Sequence, residues 1–552
     1  MRVLPIVAAL GAGLLAAEAG ADAVRAEPRS SEAMCAPDAA AAASAQAELP
    51  EPVLVDGLGH AGVEPDSANA EARAWFAQGA RLVWAFDEVE AIRAFRMAQR
   101  ADPACAMCYW GEAWARGPTI NLQPRSEELP AARAAAQKAA ALGAGLSPRD
   151  RALVEAMLVR TGGGDAFAGD AYAAAMEAAA RRFPRDDLMA VIAADARMVV
   201  TRGNLRPGSV AQTLLERVLR RNPDHGGAIH YYIHLTDWID RQQLAVPYAE
   251  RLGRIAPAAS HLIHMPSHSF YGVGRYADAA AVNVAAIAAD RAFVERARAV
   301  PSDYRTGLLG HNMHFAIISA LARGDGATAL AVSDQFRAAY LAGANVPARA
   351  RIVGSATYYA RGLHGDPGAV LADAAEDTVF GRAMRHYARG EALARRGDAE
   401  GVRAEAAAIA AIRGGAEAPQ LGSPTAGRLV EIVQLVLEGR GAMLAGDHRA
   451  AASAYRAAME RQLTANFSSD PPLFWYSIRR SLGAALLAGG EAREARDQLR
   501  ASLRRWPNDP LALYALAEAE TQLGNAAAAE RLLRQARAGW AGELAEVPLH
   551  RI

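Results

Sequence analysis

Seven histidines recur at matching places along one stretch of this chain, and their type and spacing are those of metal ligands. Ile229 to Asp237 reads IHYYIHLTD, Ser260 to Phe270 reads SHLIHMPSHSF, and Gly310 to Ala316 reads GHNMHFA. His230 and His264 are 34 residues apart, as are His234 and His268. Even spreading of the 13 histidines would put roughly two in a 90-residue window, yet residues 225 to 314 hold eight, counting His225. Imidazole is the commonest metal ligand, and zinc, copper, iron and nickel all accept it. HLIHMPSH lacks the glutamate of H-E-x-x-H, so a zincin-type protease is not indicated.

Such side chains need elements that bring them together, and the 34-residue period says which. Trp75, Gly79, Ala91, Phe95, Ala98 and Pro103 fall at the signature places of a helix-turn-helix unit. Gly439, Gly446, Ala451, Tyr455 and Ala458 mark a second. Leu482, Gly483, Gly490, Ala495, Leu499 and Pro507 mark a third, and Leu516, Gly524, Ala529, Leu533 and Ala536 follow in step. Small residues let paired helices approach, large ones fill the seam, and proline ends the second helix.

On these residues the chain resembles the tetratricopeptide repeat family over most of residues 67 to 540. The resemblance implies an all-α, tetratricopeptide-like α-solenoid, a right-handed superhelix of stacked units. It also implies that the second, fifth and ninth residues of each unit face the concave wall. With Pro223 and Pro257 as repeat ends, and Gly324 as a turn glycine, His230, His234, His261, His264, His268, His311 and His314 all take such places. Residues three, four and seven apart share a helical face, so the histidines form stripes on three neighbouring helices. Helix axes about 8 to 10 Å apart let imidazoles on two helices share an ion at about 2.0 to 2.1 Å from each nitrogen. A plainer reading stays open, in which these rings bond a peptide carboxylate, or Asp237, Tyr231, Tyr232 and Tyr271 nearby.

Around the repeats the chain divides further. Arg2, the apolar run Val3 to Ala17 and the small residues up to Ala23 read as a signal peptide, 1–23, too short in its apolar core to span a membrane. This points to a periplasmic or secreted mature protein with no transmembrane span. Residues 24–66, rich in Ala, Glu, Pro and Ser, are expected to form a disordered leader. An N-terminal solenoid with a histidine-rich groove follows over 67–340, then degenerate repeats and a hinge over 341–427, then a C-terminal stack over 428–552.

Composition agrees with an extended helical protein: 52% hydrophobic, 6% aromatic, with 60 basic and 60 acidic residues that cancel. Almost every basic residue is arginine, and no basic stripe suggests nucleic acid as a partner. Cys105 and Cys108 stand as C-x-x-C without the thioredoxin strands or a haem-attachment histidine, so a structural disulfide is favoured over redox or metal roles. The register puts Trp110 and Trp114 at groove places, and Asn121 ends a GPTIN run that the repeat fold does not require. The run Cys105 to Asn121, HLIHMPSH and GRYADAAAVNVAAIAAD together resemble a group of exported bacterial tetratricopeptide proteins. That likeness supplies no reaction.

Three functions fit these residues. The preferred one is an exported scaffold whose concave histidine groove binds a transition metal such as zinc, copper or iron, or a metallocofactor, for metal handling or for docking a protein or peptide partner. The second is a metal-dependent enzyme using the same cluster. The third is a metal-free peptide-binding adaptor in an envelope complex.

Overall fold

The computed structural model describes residues 50–552 except 122–125, 202, 343–345, 374–377, 465–469 and 545–546. The expected signal peptide therefore lies outside the described residues. Within them every regular element is a helix, and consecutive helices pair and stack as a tetratricopeptide-like α-solenoid. No helix among the described residues is long and apolar enough to cross a membrane.

The repeat residues act as their types suggest. Gly79 on the helix Ala70–Trp84 faces Phe95 on Glu88–Ala101, and a Cβ added there would stand 2.8 Å from the ring. Phe95 also wedges against Gly111 of the next helix, Ala106–Ala115. The same pairing, 16 residues apart, recurs where Gly439 meets Tyr455 and Gly483 meets Leu499, each at 2.6 Å from an added Cβ. Replacing these hydrogens with methyl groups would force the helix pairs apart, which is why the repeats keep glycine there.

One expectation needs correction. Residues 50–66, placed in a disordered leader, instead run extended along the histidine-bearing region. Val55 N–H donates to Gln78 Oε1 at 2.7 Å, Trp84 Nε1 donates to the Ala61 carbonyl at 2.9 Å, and Leu58 is buried. Three apolar side chains, Val55, Leu58 and Val63, tie the segment to the core, and composition averaged over 24–66 hides them. Within the expected hinge region, Tyr359, Tyr387 and Ile409 are fully buried in the same apolar core that holds the N-terminal helices. The C-terminal stack meets the N-terminal helices directly. Tyr276 donates to the Pro507 carbonyl at 3.0 Å, Asn508 Nδ2 to the Val273 carbonyl at 3.1 Å, and Ala541 N–H to the Arg323 carbonyl at 2.8 Å. Gly274, with φ +77°, sits directly against the Pro507 backbone, where a side chain would collide.

Candidate metal centre

Four helices supply the cluster. Gly226–Trp238 carries His230, His234 and Asp237; Ser260–His264 and Pro266–Gly272 carry His261, His264 and His268; Asp303–Ala322 carries His311 and His314. Pro266, lacking an N–H, interrupts the second helix at Met265, yet His264 and His268 still present their Nε2 atoms to each other. Gly227 lets Gly226–Trp238 approach Trp84 so closely that an added Cβ would lie 2.7 Å from the indole. That approach brings the Trp84 carbonyl within 2.7 Å of His230 Nδ1.

Six of the seven predicted histidines converge as two triads. In the first, His230 Nε2 lies 3.2 Å from His234 Nε2 and 3.1 Å from His261 Nε2. In the second, His264 Nε2 lies 3.0 Å from His268 Nε2, and a His311 ring nitrogen completes a set whose ligand atoms all lie within 4.8 Å of one another. His314 belongs to neither triad; it is fully buried, one helical turn beyond His311. His225 caps its helix instead, its Nδ1 accepting from Ala228 N–H at 3.2 Å.

In three of the six rings, His230, His264 and His268, the outer nitrogen is fixed by an acceptor. His230 Nδ1 faces the Trp84 carbonyl, which can only accept, so the hydrogen sits on Nδ1 and Nε2 carries a bare lone pair. Asn283 Nδ2 donates to the Ala279 carbonyl at 2.7 Å, which turns Oδ1 toward His264 Nδ1 at 2.6 Å and assigns that ring the same tautomer. His268 Nδ1 pairs with the Asp470 carboxylate, and Asp237 Oδ2 stands 4.0 Å away. With His268 neutral and its hydrogen on Nδ1, the lone pairs of His264 and His268 face each other at 3.0 Å, whereas a His268 imidazolium paired with Asp470 would donate to His264 Nε2 instead. In the first triad one lone pair is crowded by two nitrogens. Outer N–H bonded to carbonyl or carboxylate, inner nitrogens convergent, is the arrangement that orients imidazoles on a metal.

Burial opposes protonation of the rings that lack a carboxylate partner. The seven rings are at most 6% exposed. Burial pushes His230 down to about 3 and holds His234, His261, His264 and His311 well below the ordinary imidazole value, with neighbouring histidines adding to the shift in all five. His261 Nδ1 and both nitrogens of His311 are buried without a hydrogen-bond partner among the described residues.

Burial also corrects the groove. The expected concave wall is roofed by Phe86, whose centroid lies 4.3 Å from His230 and 5.3 Å from His261, and by Phe315, 4.9 Å from His268 and 5.2 Å from His311. Phe86 takes a left-handed φ of 58°, unusual for an aromatic residue, in the turn after Ala70–Trp84.

The remaining predicted residues separate by role. Asp237 accepts from Gln242 Nε2 at 2.9 Å and joins His268 and Asp470 in a carboxylate-histidine group. Tyr231 stacks on His230 with centroids 5.4 Å apart, but its hydroxyl is directed to Asp195, away from the triads. Tyr271 packs on Tyr276 and Phe315. Trp110 and Trp114 are not groove residues: they stack on each other at 5.2 Å in a buried seam, where Trp110 Nε1 donates to the Leu153 carbonyl at 3.2 Å. Asn121 is buried too. The GPTIN run has a structural explanation, because Gly117 leaves room for the Arg160 guanidinium, which bonds the Trp114 and Pro118 carbonyls. Cys105 and Cys108 form a disulfide at the start of Ala106–Ala115.

Sequence reasoning missed Asp470, Asn283, Phe86 and Phe315. Asn283 lies within GRYADAAAVN, beside the histidine motif, whereas Asp470 is 202 residues from His268 and carries no local signal.

No family model and no curated protein matches the chain. Among solved structures, similarity is reported to a human IFIT1 dimer with m7Gppp-AAAA, at 12% identity over 87% of this chain and 92% of that one, with TM-score 0.28. Naa15/Naa10 bound to HypK-THB matches at 11% identity over 87% and 90%, with TM-score 0.21. The assignment of the fold rests on this chain's own helix pairs.

Proposed function

We propose that this chain is an exported helical scaffold built to hold transition-metal ions in a buried histidine centre, one ion in each triad. The observation that carries the reading is the opposition of His264 Nε2 and His268 Nε2 at 3.0 Å, with both outer nitrogens engaged by acceptors. A cation between those two nitrogens would replace that contact with two bonds. The donors are imidazoles without thiolate, a set that suits copper, zinc, iron and nickel, with copper(II) favoured on intrinsic affinity. Export is supported by the N-terminal segment Arg2 to Ala23 and by the likeness to exported tetratricopeptide proteins.

Enclosure of the rings favours storage or catalysis over metal-dependent docking of a partner in an open groove. Catalysis has one specific support: the carboxylates of Asp237 and Asp470 stand at the outer nitrogen of His268, where they can pass a proton to or from the centre. Titration of untagged, chelator-stripped protein with zinc tests the assignment. Saturable uptake of two ions per chain supports it, and uptake no greater than that of a variant carrying both His230→Gln and His268→Gln rejects it.

A further inference from the structure

The two triads share a single enclosure. Ring centroids within a triad are 4.7 to 6.3 Å apart, and two pairs across the triads fall inside the same range: His234 to His268 at 5.5 Å and His261 to His264 at 5.6 Å. Three nitrogens per ion leave a tetrahedral metal one open position.

Charge makes those open positions consequential. Six neutral imidazoles bring no negative charge to two divalent cations, and buried uncompensated charge is costly. Asp237 and Asp470 lie on the outer face of His268, and Asp87 and Asp290 line the cavity beside His261 together with Arg305, so no carboxylate of the described residues is placed among the inner nitrogens. An anion between the ions would supply what the ligands do not.

A cavity borders one of the ligand rings. A cavity of about 40 Å³ is lined by His261, Phe86, Leu58, Leu308, Asp290 and Arg305, among others. His261 is both its inner wall and one of the rings that join the triads. At roughly 10–15 Å³ per water on the same kind of measure, the cavity admits about three waters or one molecule of two or three atoms. Larger substrates do not fit.

We propose that the triads work as one dinuclear centre whose ions are bridged by an anion of two or three atoms at most, entering through the cavity against His261. This rests on the metal-binding reading above, and the test separates the two. Metal-stripped, untagged protein is reloaded with cobalt(II), and azide is titrated in while visible absorption and electron paramagnetic resonance are recorded. The expected result is two cobalts per chain, saturation at one azide per cobalt pair, and loss of paramagnetic signal as the bridge couples the ions. Leu308→Trp, which fills the cavity, is expected to keep both cobalts and slow azide uptake about tenfold, equivalent to ~1.4 kcal/mol on the entry barrier. Ala259→Val, also on the cavity wall, gives a smaller slowing and serves if the tryptophan variant folds poorly. Two cobalts that each take their own azide without coupling overturn the bridge, and unchanged uptake in both variants overturns the route. A single cobalt per chain overturns the dinuclear inference and leaves metal binding standing; no cobalt at all overturns both.

Discussion

Asn283 Oδ1 accepts from His264 Nδ1 at 2.6 Å, and the amide is held in that orientation by its own Nδ2, which donates to the Ala279 carbonyl. One side chain thus fixes a tautomer on another helix and aims the opposite nitrogen inward. Outer partners of this kind govern ligand orientation, and their removal typically costs about 10–100-fold in metal affinity. Asn283→Leu is expected to weaken the second triad by that factor and leave the first unchanged, as read by competition with a chromophoric chelator. Equal affinity in the variant and the parent would show that the contact positions nothing.

The triads draw on different residues, so their ions should be removable one at a time. His234→Gln is expected to lower the metal content by one ion per chain, and His311→Gln by the other, with helical circular dichroism unchanged in both. Loss of both ions from either single substitution would show that the sites do not load separately.

The fold was largely readable from residue types, because glycine opposite a large ring leaves a spacing that repeats. Gly79 with Phe95, Gly439 with Tyr455 and Gly483 with Leu499 locate three helix pairs from the sequence alone. Six of seven candidate ligands also fell together, since a 34-residue period carries one helix face into the next unit. His314 did not join, because the register marks a face rather than a ring's direction. The enclosure was not readable. It depends on Phe86 in a left-handed turn, on Leu58 from an apparently featureless leader, and on Asp470 arriving from a distant loop, none of which repeats.

Packing gives a stability prediction. Gly111 lies directly against Phe95, and a methyl group there would overlap the ring. Gly111→Ala is expected to destabilise the protein by about 1–3 kcal/mol in urea unfolding, the usual cost of overpacking. Phe95→Leu in the same chain should restore part of the loss, and additive effects of the two substitutions would contradict direct contact.

Buried neutral histidine also makes the metal-free protein acid-sensitive. Burial pushes His314 down to about 3 and His364, with Arg395 and Arg551 adding to the shift, down to about 4. In the unfolded chain both titrate near ~6.5, so below that pH the unfolded state binds more protons. The stability they contribute is complete above pH ~6.5 and is lost as pH falls toward the folded values. Each ring adds a slope of about 1.4 kcal/mol per pH unit in that window. His314→Gln should flatten the pH dependence of the urea midpoint between pH 6 and 4, and an unchanged slope would refute the assignment.

Elemental analysis of the untagged protein, purified without chelator and compared with a variant lacking His230 and His268, addresses the central claim most directly. The account predicts about two transition-metal ions per chain in the parent and fewer than half an ion in the variant. Metal-free parent protein that also fails to retain added copper or zinc through gel filtration would contradict it.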